Sequence, residues 1–317
     1  MGKYSYSDFG LVNTKKMFAN AIQRKYAIPA FNFYNMETLN AIMRAVRETH
    51  SPVILAVSES ALTYMGDDML MGMISGLNLH KSEQIALHLD HGHSLDACRH
   101  AIKLGFSSVM IDASAMPFNE NIKLTSAVVK FAHRYNVSVE SELGVLSGIE
   151  DENTQSSESF YTHPADVIEF VNRTDVDSLA IAIGTSHGAY KRKSDEESLR
   201  FDILNQIAKR LPDFPLVLHG ASSIPPEYLN IINQNGGKIQ GARGIDRKQL
   251  RRVAKTNICK INVDSDLRLG FTAGVRATLK QAPAMFNPRE FLSHAINNMT
   301  STCIDEITNI MGSKNKI

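Results

Sequence analysis

A chain of 317 residues with 43% hydrophobic content can bury a large core, enough for two ordinary domains or for one α/β barrel, which typically needs about 250 residues. Its 34 basic and 33 acidic side chains leave a formal net charge of +1. That balance argues against a nucleic-acid or membrane-surface protein, which presents a basic face or block. Cys98, Cys259 and Cys303 are odd in number and lack a CxxC pair, which argues against a disulfide framework or a thiolate zinc site and for a reducing cytosol.

The N-terminus carries no apolar signal core, Tyr6 stands where a myristoylation motif wants Ser or Thr, and the weakly charged run 69–80 is too short to span a bilayer. The expected setting is cytoplasmic, with no nucleic acid and no membrane as partner. An anionic ligand then has to be met by a few placed cations.

Short apolar segments alternate with longer amphipathic ones along the whole chain. Strands are expected over 26–33, 52–58, 85–90, 108–112, 137–143, 178–183, 215–219 and 258–263. Helices are expected over 37–49, 96–104, 119–135, 164–174, 201–211, 226–234, 268–281 and 288–311. Near-continuous apolar strands, a helix after each strand and no Gly/Pro/Ser-rich linker point to one (β/α)8 TIM barrel over 1–317, with the C-terminal helices of about 268–311 extending it. A doubly wound open sheet is the runner-up, but Phe31-Asn-Phe-Tyr-Asn-Met36 offers no Gly-rich fingerprint after the first strand. Two connections, 143–163 and 184–197, are long and polar, as lids and binding loops are.

Placed on this scheme, Ser58, Asp90, His91, Asp112, Glu140, Glu142, His187, His219 and Asn262 all fall at or just past C-terminal strand ends, the catalytic rim of a barrel. Three histidines, His91, His187 and His219, follow three different strands; a trio of imidazoles with an open fourth position is a catalytic zinc arrangement. The other eight read as solvated or, for His88 inside a strand, as a hydrogen-bonded core residue. His187-Gly-Ala-Tyr-Lys191 and His219-Gly-Ala-Ser-Ser223 set glycine beside hydroxyl or ammonium donors, a composition suited to an anion cradle. Asn262-Val-Asp-Ser-Asp266 adds further donors where barrels often bind phosphate.

The strings His88-Leu-Asp-His-Gly92, Ser108-Val-Met-Ile-Asp-Ala-Ser114, Ser138-Val-Glu-Ser-Glu-Leu-Gly144, Ala182-Ile-Gly-Thr-Ser-His-Gly-Ala-Tyr-Lys191, Leu216-Val-Leu-His-Gly-Ala-Ser-Ser223 and Lys260-Ile-Asn-Val-Asp-Ser-Asp266 together resemble class II, zinc-dependent fructose-1,6-bisphosphate aldolases. They recur in order over nearly the whole chain. The resemblance implies that His91, His187 and His219 hold one Zn2+ per subunit, with Glu142 near the metal and room for a monovalent cation. Asp90 would move the proton of the fourth-carbon hydroxyl, and Glu150, in the long loop, would act on the dihydroxyacetone phosphate carbon. Gly188, Lys191, Gly220 and Ser222 would hold one phosphate, while Asn262, Asp264 and Ser265 position the sugar and that phosphate. Arg268 resembles the residue that meets the second phosphate. Phe286-Asn-Pro-Arg289 resembles a motif whose arginine reaches a neighbouring subunit's site, which implies a homodimer or homotetramer.

Departures are Ser58 where the family motif has glycine, Ala115-Met116 in place of a more polar pair, and the segment 241–247; Ser58 keeps a binding role. The residues suit the chemistry. Retro-aldol cleavage leaves a carbanion that must be delocalised as an enediolate, and a divalent metal can take up its charge without a lysine Schiff base. Tagatose-1,6-bisphosphate aldolase differs only in substrate configuration at the fourth carbon, and a metal-dependent barrel hydrolase is the alternative of another class.

Overall fold

The computed structural model describes residues 4–146, 161–188 and 199–317, with the backbone alone of 149–150 and 153–154. Eight parallel strands form a ring: β1 (Ile28–Asn32), β2 (Val53–Ser58), β3 (Ile85–Gly92), β4 (Ser108–Ile111), β5 (Ser138–Leu143), β6 (Ser178–Ile181), β7 (Leu216–Leu218) and β8 (Ile258–Val263). Each pairs with its sequence neighbours, and β8 pairs back with β1 to close the barrel. Every residue of these strands is buried, which is why most of them read as apolar runs, interrupted by buried polar residues on β3, β5 and β8.

The outer layer comprises α1 (Thr14–Arg24), α2 (Met36–Thr49), α3 (Glu59–Met65), α4 (Asp67–Gly76), α5 (Leu95–Leu104) and α6 (Phe118–Ala132). It continues with α7 (Pro164–Thr174), α8 (Phe201–Arg210), α9 (Pro226–Gln234), α10 (Arg247–Val253), α11 (Ser265–Gln281) and α12 (Pro288–Asp305). Their starts are chemically marked: Asn13, Asn35, Ser58, Ser94, Asp246 and Asn287 each accept a first-turn backbone N–H on the side chain. Apolar helix faces then pack on the barrel in one continuous core.

The strand count matches the expectation, but four helices (α1, α3, α4 and α10) are not among those expected from the sequence. The most consequential is α1. Its Met17, Phe18 and Ala21 cluster with Tyr26, Ile28, Ala30, Ile54, Ala86 and Cys259 from the barrel wall, so it packs at the strands' N-terminal ends. Burying each of the two larger α1 side chains is worth about 1.5–3 kcal/mol. With that end packed, the opposite rim is left for chemistry. The last helices also differ in detail: α11 begins at Ser265, ahead of the expected 268, and α12 passes into a wide π turn at Glu306–Met311. All three cysteines are free and buried, and burial pushes the Cys98 and Cys259 thiols up to about 12, so they are inert rather than ligating.

Candidate active site

Side chains two apart on a strand share a face, and that rule gathers most of the site. Asn32 on β1, His88 and Asp90 on β3, Glu140 on β5, and Lys260 and Asn262 on β8 meet inside the upper half of the barrel through the hydrogen bonds described below. His91 breaks the rule. As the neighbour of Asp90 it belongs on the outer face of a regular strand, yet its ring meets His219. The pairing of β3 with β4 slips between Leu89 and Gly92, and His91 takes φ +48°. Such a bulge re-aims a side chain, and here it turns two consecutive polar residues toward one cavity.

One nitrogen of each of His91, His187 and His219 lies within 4.8 Å of the others, and all three residues are buried. His91 Nδ1 is 2.9 Å from Asp112 Oδ2, and His219 Nε2 is 2.7 Å from Glu140 Oε1. Each of those nitrogens therefore carries the proton, because a carboxylate only accepts. Burial, followed by the charges of Lys260 and His91, pushes the His219 imidazole below its usual range, so it stays neutral. That leaves His219 Nδ1 as a lone pair, and it faces His91 Nε2 at 2.9 Å. With both imidazoles neutral these two nitrogens are opposed lone pairs, which one cation can take together. The donor set thus fits a divalent metal, with carboxylates fixing the tautomers behind it. Nitrogen ligands in a threefold set suit Zn2+. A second grouping, His91, Asp112 and Glu142, brings one atom each within the same 4.8 Å, and Glu142 is buried.

Behind His219 sits a closed electrostatic network. Lys260 Nζ donates to both oxygens of Glu140 at 2.9 Å and lies 3.2 Å from His88 Nε2; His88 Nδ1 is 2.8 Å from Ser108 Oγ. Burial alone would raise Glu140, but the Lys260 ammonium and the His219 hydrogen bond outweigh it and hold the carboxyl at about 2. His88 is the hydrogen-bonded core residue expected of it, driven down to about 3 by burial and by Lys260.

Asp90 is fully buried and takes hydrogen bonds from Asn32 Nδ2 (2.8 Å) and Asn262 Nδ2 (2.9 and 3.0 Å), with Lys260 Nζ 3.8 Å away. Against its burial, Lys260 and the surrounding imidazoles keep it well below the usual carboxylate range. It is an ionised carboxylate poised beside the histidines. Asn32, Asp112, Glu140 and Lys260 are the supporting residues that motif reading leaves without roles. Their signal is positional: each is a polar residue at an inward register of a strand or just beyond its end.

The remaining candidates lie around this centre. Ser58 is buried, aligned with Asp90 across β2 and β3, and caps α3 by accepting from Ala61 N at 3.3 Å. Ser222 is buried and Gly220 half-buried in the loop after β7. Gly188 takes φ +75°. Asp264 and Ser265 are half-buried where α11 begins. Arg268 Nε donates to Asp264 Oδ1 at 2.8 Å, and its guanidinium lies 5.2 Å from the Tyr34 ring centre, so it is exposed but held. Arg289 is exposed in the first turn of α12, near the 90% exposed Phe286. Lys191 and the Glu150 side chain lie outside the described residues.

Gly220 joins two of the histidine loops. At φ +58°, a Cβ there would sit 2.5 Å from Ser186 O, beside His187. Gly220→Ala is therefore expected to cost roughly 1–3 kcal/mol of stability and to weaken Zn2+ binding by pushing His187 and His219 apart. Urea denaturation and a Zn2+ titration of the variant check this.

A closed parallel barrel whose C-terminal rim converges three imidazoles beside an ionised aspartate has the residues that metal-assisted barrel chemistry requires. Residues 12–316 match the family described as Fructose-bisphosphate aldolase class-II, and the chain belongs to that family. It is 46% identical to the fructose-bisphosphate aldolase of Treponema pallidum, covering 98% of each chain. It is 43% identical to that of Helicobacter pylori strain 26695, covering 97% of this chain and all of the other. Among solved structures, the YdjI aldolase from Escherichia coli K12 superimposes with a TM-score of 0.75 at 27% identity over 96% of this chain and 99% of that one. Among the described residues no helix is long and apolar enough to cross a membrane.

Proposed function

We propose that the chain is a lyase that reversibly cleaves fructose 1,6-bisphosphate into dihydroxyacetone phosphate and glyceraldehyde 3-phosphate, a cytoplasmic step of glycolysis and gluconeogenesis. The observation that carries this reading is the convergence of three buried imidazole nitrogens within 4.8 Å of one another, next to an ionised, amide-bound Asp90. Zn2+ on His91, His187 and His219 would supply the positive charge that takes up the electrons left beside the ketone when the carbon–carbon bond breaks.

This chain's residues do the rest. Asp90 accepts the proton of the fourth-carbon hydroxyl, so that the new aldehyde forms as the bond breaks. Asn262 has given its N–H to Asp90, and its buried Oδ1 has no hydrogen-bond partner among the described residues; it is free to accept a sugar hydroxyl. Glu150 returns a proton to the dihydroxyacetone phosphate carbon, and Glu142 stands near the metal. Gly188, Lys191, Gly220, Ser222 and Ser265 cradle one phosphate, with Asp264 and Ser58 orienting the sugar. Arg268 meets the other phosphate, its fork already aligned by Asp264 and Tyr34. Arg289 of α12 completes a neighbouring subunit's site in a homodimer or homotetramer, which would bury the exposed Phe286 turn. A monovalent cation beside the phosphate loops belongs to the same reading.

Dialysis against a chelator is expected to abolish cleavage of fructose 1,6-bisphosphate, and added Zn2+ to restore it. Turnover that survives metal removal would sink the reading. Parallel assays with tagatose 1,6-bisphosphate, the epimer at the fourth carbon, are expected to give the lower kcat/KM.

A further inference from the structure

The loop after β7 is held from below by two acids that the chemistry above does not use. Asp266, fully buried in the first turn of α11, accepts from Ser223 N at 2.8 Å and from Ile224 N at 2.7 Å. Ile224 needs that support: it is β-branched and takes φ +53°, a region such residues avoid. Ser223 Oγ lies 3.1 Å from Asp266 Oδ2 and 3.5 Å from Oε1 of Glu306, the buried residue at which α12 turns into its π segment. From another side Ile245 N donates to Ser222 O at 3.0 Å, and a Cβ on Gly244 would sit 2.1 Å from the Ser223 backbone. The segment 241–247, which departs from the family pattern, thus presses the same loop.

A serine hydroxyl has one proton and cannot donate to two carboxylates at once. The arrangement closes if Glu306 keeps its own proton, giving Glu306 O–H to Ser223 Oγ and Ser223 O–H to the Asp266 carboxylate. Burial and the Asp266 charge push the Glu306 carboxyl well above its usual range, while the Arg247 guanidinium, 3.8 Å away and also bound to Asp305, only partly opposes them. Two bare carboxylates in so dry a place would repel.

We propose that Glu306 is a positioning residue of the phosphate site: it donates to Ser223, which donates to Asp266, and this relay sets the loop whose residues 220 and 222 cradle the substrate phosphate. The inference rests on the reading of that cradle given above. A bent or slack loop would lose phosphate affinity while leaving the histidines and Asp90 able to do chemistry, so its signature is KM rather than kcat.

The test uses the Zn2+-loaded enzyme, with KM, kcat and the inhibition constant of inorganic phosphate as readouts. Glu306→Leu is expected to raise KM and the phosphate inhibition constant by about tenfold, with kcat changed less than about twofold. Glu306→Gln, whose amide N–H can still donate, is expected to restore KM to within about twofold of the parent. Ser223→Ala should match Glu306→Leu, and the double variant should add nothing further, as residues acting through one another do. An unchanged KM in Glu306→Leu, a Gln variant as impaired as the Leu variant, or additive effects would each overturn the relay. If the Leu variant does not fold, Ser223→Ala decides alone, and a parental KM there overturns it. Ser222→Ala separates the two levels: no KM change there removes the cradle reading and the relay with it. A raised KM there with a parental Glu306→Leu removes the relay only.

Discussion

Asp90→Ala is expected to lower turnover of fructose 1,6-bisphosphate by about 10²–10⁴-fold, with KM and bound Zn2+ close to those of the parent. The asymmetry follows from what Asp90 touches. Its oxygens take N–H bonds from Asn32 and Asn262, not from the metal-facing imidazoles. Removing it deletes the proton acceptor while the supports of His91 and His219, Asp112 and Glu140, remain in place. Steady-state kinetics with metal analysis on the same preparation reads both halves. A variant that loses Zn2+ in proportion to turnover would mean that Asp90 holds the metal site and does not move a proton.

The barrel was legible because its strands announce themselves as apolar runs at regular intervals, and the three histidines because each stands beside a glycine at a strand end. What was not legible depends on contacts between residues far apart. Lys260 reads as an odd charge inside a strand, and only the ring closure of β8 on β1 carries it across to Glu140 and His88. Counting alternate residues along β3 puts Asp90 inward and His91 outward; the bulge that turns both inward is a property of the pairing with β4, not of either residue. Helix α1 has an amphipathic spacing of its own, but with no strand before it nothing in the repeat reserves a place for it beneath the barrel. The acid pair at the loop after β7 joins the start of α11 and the end of α12, which no local pattern connects.

Lys260→Met is expected to destabilise the protein by about 3–5 kcal/mol, the usual result of leaving a buried charge without its partner, and to weaken Zn2+ binding about 10–100-fold. The lysine is the only cation in hydrogen-bond contact with Glu140 among the described residues, and Glu140 in turn fixes the His219 tautomer. Without Lys260, burial dominates, Glu140 takes up a proton, and its grip on the imidazole N–H slackens. The pH dependence has a definite sign. In the parent the Glu140 carboxyl sits at about 2, below its ordinary value of 4.5, so its contribution is fully present above that ordinary value and disappears as pH falls through about 2. In the variant the protonated form costs least in acid. The stability gap between the two proteins should therefore be widest near neutrality and close steadily as the medium is acidified. Adding Glu140→Gln to Lys260→Met removes the ionisable carboxyl that has lost its cation while keeping an acceptor for His219, so the double variant should recover much of the lost stability. Urea midpoints of the metal-free proteins across this pH range measure the gap. A gap that stays constant or widens in acid would show that the lysine acts through packing and not through the charge it neutralises.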